Sequence, residues 1–223
     1  MKNERTAGRF LDELSRFQPG FDQLPRILAL YSAAIAVGDE SFIKETAFRA
    51  NQSGAGVEAI YEIMLQSYLF LGFPRMLTAA ECFREAFPEF AKLLQVKEAP
   101  LSQVEEWRKR GTTLCQKVYA GNFGKLKARV CHFSPEIFQF MILEGYGKVL
   151  SRPGLDIRDR ELAIVACLMV DNRPKQLFSH IRGALNVGVS EKTLEAVIND
   201  VGLVTDADSQ SALSFLKRLK ANA

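Results

Sequence analysis

The sequence is short of the features that would declare a function outright. Its 223 residues include only two histidines, four cysteines and one tryptophan. The cysteines, Cys82, Cys115, Cys131 and Cys167, form no CxxC pair, and no Cys/His cluster has the spacing of a zinc site, so no metal is expected. Neither sign of charge prevails: 29 Lys and Arg stand against 26 Asp and Glu, a formal net charge of +3, which gives no basic field to attract nucleic acid. Long apolar runs are missing as well. The two longest, Ile27 to Val37 (broken by Ser32) and Leu162 to Val170, reach about half the length of a membrane crossing. MKNERTAGRF lacks the apolar core of a secretory signal, so a cytoplasmic location, no membrane association and free thiols are expected.

The composition, 48% hydrophobic and 25% charged, is that of a globular protein with a substantial core. Apolar residues recur at helical spacing almost throughout, which predicts an all-α fold. Asp39 is placed to cap a helix to about Gln52, and Gly54 and Gly56 break it. A second helix is expected from Val57 to Leu71, stopped by Gly72. Ser102 with Glu105 has the form of a capping box, and Ser134-Pro135-Glu136 opens a helix reaching Leu150. After Ser151-Arg152-Pro153-Gly154, Asp156 starts a helix that is apolar on every face from Ala163 to Val170 and therefore central. Asn172-Arg173-Pro174 turns the chain into a helix from Lys175 to Val187, closed by Gly188; Ser190 caps the next, and Asp206 or Asp208 the last.

The Pro-bearing stretch from Glu85 to Leu101 divides the chain into an N-terminal repeat, 1–95, and a C-terminal repeat, 96–223, expected to pack as one compact unit. A shift of 116 residues places Glu161 on Glu45, Ala163 on Ala47, Leu185 on Leu69 and Gly188 on Gly72. The same shift places His180 on Met64, so a site built on His180 has no counterpart in the first half.

Two short motifs carry no chemistry. Gly54-Ala55-Gly56 follows a helix rather than a strand, which removes the phosphate-cradling geometry of a dinucleotide fingerprint, and Gly121-Asn122-Phe123-Gly124-Lys125 lacks the spacing of a P-loop. Cys131 and His132 are chain neighbours, and adjacent helical side chains do not face one another. Glu161 and His180 are different. They lie on successive helices folded back through the Asn172 turn, within reach of each other, and His180 shares an apolar face with Leu177, Ala184 and Val187. A histidine beside a carboxylate on such a face is either a satisfied core pair or a proton-transfer pair.

From Trp107 onward the chain resembles the carboxymuconolactone decarboxylase family of the alkylhydroperoxidase D-like superfamily. The resemblance rests on four ordered blocks: Glu144-Gly145-Tyr146-Gly147-Lys148-Val149, Ser151-Arg152-Pro153-Gly154-Leu155-Asp156, Arg160-Glu161-Leu162, and His180-Ile181-Arg182-Gly183-Ala184-Leu185-Asn186-Val187-Gly188. It implies an all-helical, duplicated, oligomeric protein in which Glu161, nineteen residues before His180, tunes that histidine for proton transfer. The superfamily's redox CxxC positions hold Arg173 and Gln176, which disfavours an alkylhydroperoxidase-type antioxidant. The Tyr-x-Gly-x-Pro that usually follows the histidine block is replaced by Val201-Gly202-Leu203-Val204-Thr205.

The resemblance thus implies a decarboxylase (a lyase) without metal or organic cofactor, acting on a small carboxylated, lactone-like substrate. His180 and Glu161 would be catalytic, and Arg182, Arg160 and Arg152 would hold the substrate's carboxylates, since guanidinium binds carboxylate as a bidentate fork. The alternative is a non-catalytic oligomeric binding or scaffold protein that kept the fold, which a solid core around His180 would favour. Apolar crowding at Tyr61, Tyr68, Leu69, Phe70 and Leu71 points to a homo-oligomer, a trimer first and a dimer or hexamer next.

Overall fold

A computed structural model describes residues 23–94 and 102–221, and among these the fold is all-α, as the periodicity predicts. Two helices with long stretches apolar on every face form its centre. Helix α1 (Gln23–Val37) buries every residue from Ile27 to Ala36, and α9 (Ile157–Val170) every residue from Arg160 to Met169. A helix apolar all round must be covered on all sides. The two cover each other, and the Ser32 hydroxyl donates to the Ala163 carbonyl across the contact at 2.7 Å.

Around this pair the chain is laid down by its caps. Asp39 accepts from the Phe42 amide at the start of α2 (Glu40–Gln52), and the left-handed Gly54 (φ 94°) leads into α3 (Val57–Gln66). The single helix expected from Val57 to Leu71 is two: Ser67 separates α3 from α4 (Tyr68–Ala86). The helical path does stop at Gly72 as expected, where φ 78° and ψ 167° break α4 at a kink, and Pro74 stands just inside its continuation. Short α5 (Pro88–Leu93) follows, within the expected boundary stretch; residues 95–101 of that stretch lie outside the described chain.

The second half begins with α6 (Ser102–Tyr119), whose capping box cannot be followed because the Ser102 side chain is outside the described residues. A 3₁₀ turn at Ala120–Asn122 leads to α7 (Phe123–Phe133), which carries Cys131 and His132 in its last turn. Ser134 caps α8 (Pro135–Phe140). The helix then does not continue as α: Met141–Leu150 is a π-helix, wider by one residue per turn. It lies on α6 with backbone against backbone. A Cβ on Gly111 would collide with the Ile142 carbonyl and one on Gly147 with the Trp107 carbonyl, so only glycine allows this approach. Asp156 then caps α9, and α10 (Pro174–Asn186), α11 (Glu191–Thr205, capped by Ser190) and α12 (Ser209–Lys220, capped by Asp208) complete the chain. Asp206 is instead the left-handed residue ending α11.

Backbone landmarks recur, but not in the 116-residue register. Left-handed residues Gly38 and Gly54 match Asn172 and Gly188, each pair 134 positions apart. The same spacing sets Arg26 on Arg160 and Gln66 on Asp200, and these four cross-pair: Arg26 donates to the Asp200 carboxylate at 2.7 and 2.9 Å, and Arg160 to the Gln66 amide oxygen at 3.2 Å. In this spacing His180 falls on Thr46 and Glu161 on Ile27. The shift of 116 sets α9 on α2, whereas α1 is the helix of the first half that shares the centre with α9.

Candidate functional site

Glu161 stands in the first turn and a half of α9, and His180 in the middle of α10, which the Asn172 turn folds back antiparallel. Their side chains meet: His180 Nδ1 lies 2.8 Å from Glu161 Oε2. Both are buried, Glu161 completely. Its second oxygen, Oε1, has no hydrogen-bond partner. Gly183, one turn after His180, makes room for the pair, since a Cβ there would sit 2.8 Å from both Glu161 Oε2 and Val118 Cγ1.

The pair is walled by groups that stay neutral. Burial, with the nearby Glu161 carboxylate adding to it, pushes the Cys115 thiol up to about 12. Burial likewise pushes the Tyr119 hydroxyl up to about 12, and that of Tyr146, hydrogen-bonded to it, well above its ordinary value. An ionised carboxylate accepts only, so Glu161 fixes the proton of a neutral His180 on Nδ1 and leaves the Nε2 lone pair free.

His180 opens on a cavity of about 370 Å³. Leu69 and Phe70 of α4 close one side, the Phe70 ring standing edge-on to the imidazole at 5.5 Å between centroids. Phe140 and Met141, at the junction of α8 with the π-helix, close another. The polar side chains of the lining are His180, Gln176 one turn before it, Glu144 of the π-helix, and the mutually hydrogen-bonded phenols Tyr119 and Tyr146. Glu144 was legible only as a member of a resemblance block, with no role attached. It accepts from the Tyr68 hydroxyl at 2.5 Å and from the Lys148 ammonium at 3.2 and 3.3 Å.

The three arginines expected to hold a substrate anion are not in this lining. Arg160, fully buried, donates to Glu62 at 2.9 Å, to Gln66, and to the Arg152 carbonyl at 3.0 Å. Arg152 donates to the same Glu62 at 2.9 and 3.0 Å and lines a separate, open groove with Lys109, Arg110 and Lys117. Arg182 stacks on Phe178 at 4.9 Å from the ring centroid, on a face of α10 turned away from the cavity lining. Sequence reasoning had no reason to single out Glu62. Its signal is an acidic residue one turn before Gln66 on a helix buried on several faces, and a buried carboxylate requires a cation opposite.

All four cysteines are free. Cys82, Cys115 and Cys167 are buried and burial raises each thiol, the last to about 12; Cys131 is half-buried. Since the thiolate is the reactive form, iodoacetamide at neutral pH should alkylate Cys131 of the native protein within minutes and leave the other three until denaturant is added. Mass spectrometry of the tryptic peptides reads this directly; early labelling of Cys115 would mean that the wall beside Glu161 opens. Among the described residues no group of three His, Cys, Asp or Glu is placed to hold a metal, and no helix is long and apolar enough to cross a membrane.

Comparison with known proteins places the site in context. Residues 135–217, which include Glu144, Glu161, Gln176 and His180, match the Carboxymuconolactone decarboxylase family. The chain is 30% identical over 80 residues to 4-carboxymuconolactone decarboxylase of Acinetobacter baylyi, an overlap of 36% of this chain and 60% of that protein. It is also 22% identical over 160 residues to Peroxisomal protein 2 of Saccharomyces cerevisiae, covering 61% of this chain and 56% of the relative. The chain spans a little over half the length of the curated relatives it matches.

Proposed function

Because residues 135–217 belong to the carboxymuconolactone decarboxylase family, we propose that the protein transfers a proton on a small, lactone-like molecule held in the His180 cavity. The observation that carries this reading is the 2.8 Å contact between Glu161 and His180 at the wall of a cavity large enough for such a ligand. Glu161 orients the imidazole, and Nε2 takes a proton from, or returns one to, a carbon made acidic by a neighbouring carbonyl. In a decarboxylation the same nitrogen, protonated, would deliver the proton to the dienolate left when carbon dioxide departs. A carboxylated substrate has less support than the proton relay, since none of the three expected arginines lines the cavity. A scaffold that had merely kept the fold would have no use for a cavity at the one buried Glu/His pair.

Several copies remain the proposed state, a trimer first. Of the residues that suggested it, Tyr61, Leu69, Phe70 and Leu71 pack partly against the protein's own core and Tyr68 stacks on Phe73, and exposed Phe73, Leu77, Phe133 and Phe140 take over the argument.

The test is solvent exchange. An unsaturated five-membered lactone incubated in D₂O should gain deuterium at the carbon next to its carbonyl, followed by NMR, and His180→Ala should reduce the rate to that of the buffer. Exchange that His180→Ala leaves untouched would refute the proposal.

A further inference from the structure

We infer that the cavity takes an uncharged substrate, and that the reaction it supports is relocation of a proton between two carbons of a small unsaturated carbonyl compound, a double-bond shift rather than a loss of carbon dioxide. The inference rests on the proton-transfer reading and adds the charge class and the reaction that follows from it.

The argument is a count of charges around the cavity. Among the described residues its lining contains neither lysine nor arginine. Of the cations nearby, Lys148 is already bound to Glu144, and a protonated His180 is already compensated by Glu161 at 2.8 Å. A substrate carboxylate would shed its hydration into a wall of Leu69, Phe70, Phe140, Met141 and the Tyr146 ring and find no free counter-charge, because the Lys148 ammonium is already offset by Glu144. Glu144 is held beside Lys148 in this pairing. The Tyr68 hydroxyl grips it from the other half of the chain, and burial together with the Glu144 contact keeps that phenol protonated, as a donor. A neutral molecule of the same shape gains from the apolar wall, and the Gln176 amide, a donor at the cavity edge, suits a carbonyl oxygen.

A substrate without a carboxylate has no carbon dioxide to lose. The chemistry left to a single histidine is then closed on itself. His180 Nε2 takes the proton from the carbon between the carbonyl and the double bond, and the C–H electron pair passes into the conjugated system as a dienolate. The imidazolium returns the proton to the far alkene carbon. The double bond ends in conjugation with the carbonyl, nothing is oxidised or reduced, and no co-reactant is consumed.

Two probes decide it: a β,γ-unsaturated five-membered lactone with a short alkyl chain, and the same lactone with a carboxylate ending that chain. Binding is read by calorimetry, the double-bond shift and any carbon dioxide by NMR in D₂O. The neutral lactone should be isomerised, with deuterium uptake to the extent that the imidazolium proton exchanges before it is returned, and with kcat/KM and affinity at least tenfold above those of the carboxylated one. Glu144→Gln, checked for an unchanged melting curve, should narrow the gap several-fold by improving the carboxylated probe; if that variant does not fold, the wild-type ratio still decides. Equal or better handling of the carboxylated lactone, release of carbon dioxide from it, or failure of both probes to bind would overturn the inference. Deuterium uptake into both lactones alike would sink it while leaving the proton-transfer reading standing. Neutral binding with neither a double-bond shift nor deuterium uptake would leave the charge preference and sink the proton-transfer reading together with the isomerisation built on it.

Discussion

Replacing Glu161 by glutamine is expected to slow proton transfer by about 10²- to 10⁴-fold, the range that positioned acid–base groups and their orienting carboxylates contribute. The melting temperature should stay the same or rise. Both halves of that expectation come from one environment. The carboxylate is fully buried, with one oxygen satisfied by His180 and the other by nothing, so its charge is a burden on the folded state. Glutamine has nearly the same shape and removes the charge. It also adds a donor: its amide can give a hydrogen bond to Nδ1, which moves the ring proton to Nε2 and turns the wrong tautomer toward the cavity. Exchange kinetics and a melting curve on the same preparation measure the two effects. A variant that lost several degrees and kept its turnover would make Glu161 a structural residue.

Removing Glu62 should have the opposite profile. Glu62→Ala leaves the fully buried Arg160 guanidinium without its counter-charge and sets Arg152 loose. Burial already pulls the Arg160 side chain below its ordinary value, opposed chiefly by its contact with Glu62. Stripping one partner from a buried ion pair costs about 3–5 kcal/mol. At about 2–4 °C per kcal/mol for a chain of this size, the melting temperature should fall by roughly 6–20 °C. Substituting Glu62→Leu and Arg160→Met together should cost much less, because no lone charge remains. A loss below about 1 kcal/mol in the single variant would mean that Gln66 and the Arg152 and Pro153 carbonyls suffice to hold the guanidinium.

The helical fold was legible because its signals are local. Asp39, Ser134, Asp156, Ser190 and Asp208 all cap where a short polar side chain precedes an apolar-periodic stretch. The Glu161–His180 contact was legible for a related reason: one tight turn joins their helices, so spacing bounds their separation. What escaped was decided across distance. The fate of Arg160 depends on Glu62, 98 residues earlier, and a guanidinium reads the same in a sequence whether it faces a substrate or a buried carboxylate. The π-helix escaped because widening a helix by one residue per turn leaves its apolar pattern close to that of an α-helix; Gly111 and Gly147, 36 residues apart, were its trace.

The mutual burial of α1 and α9 bears on modularity. The segment that carries the family pattern, 135–217, contains α9 but not the helix that covers it, nor the Tyr68 to Phe70 stretch that walls the cavity. Cut free, it would expose a helix that is apolar on every side and leave His180 facing water. Gene fusions or domain grafts that transplant only the recognisable segment would therefore carry Glu161 and His180 without part of the cavity wall that encloses them.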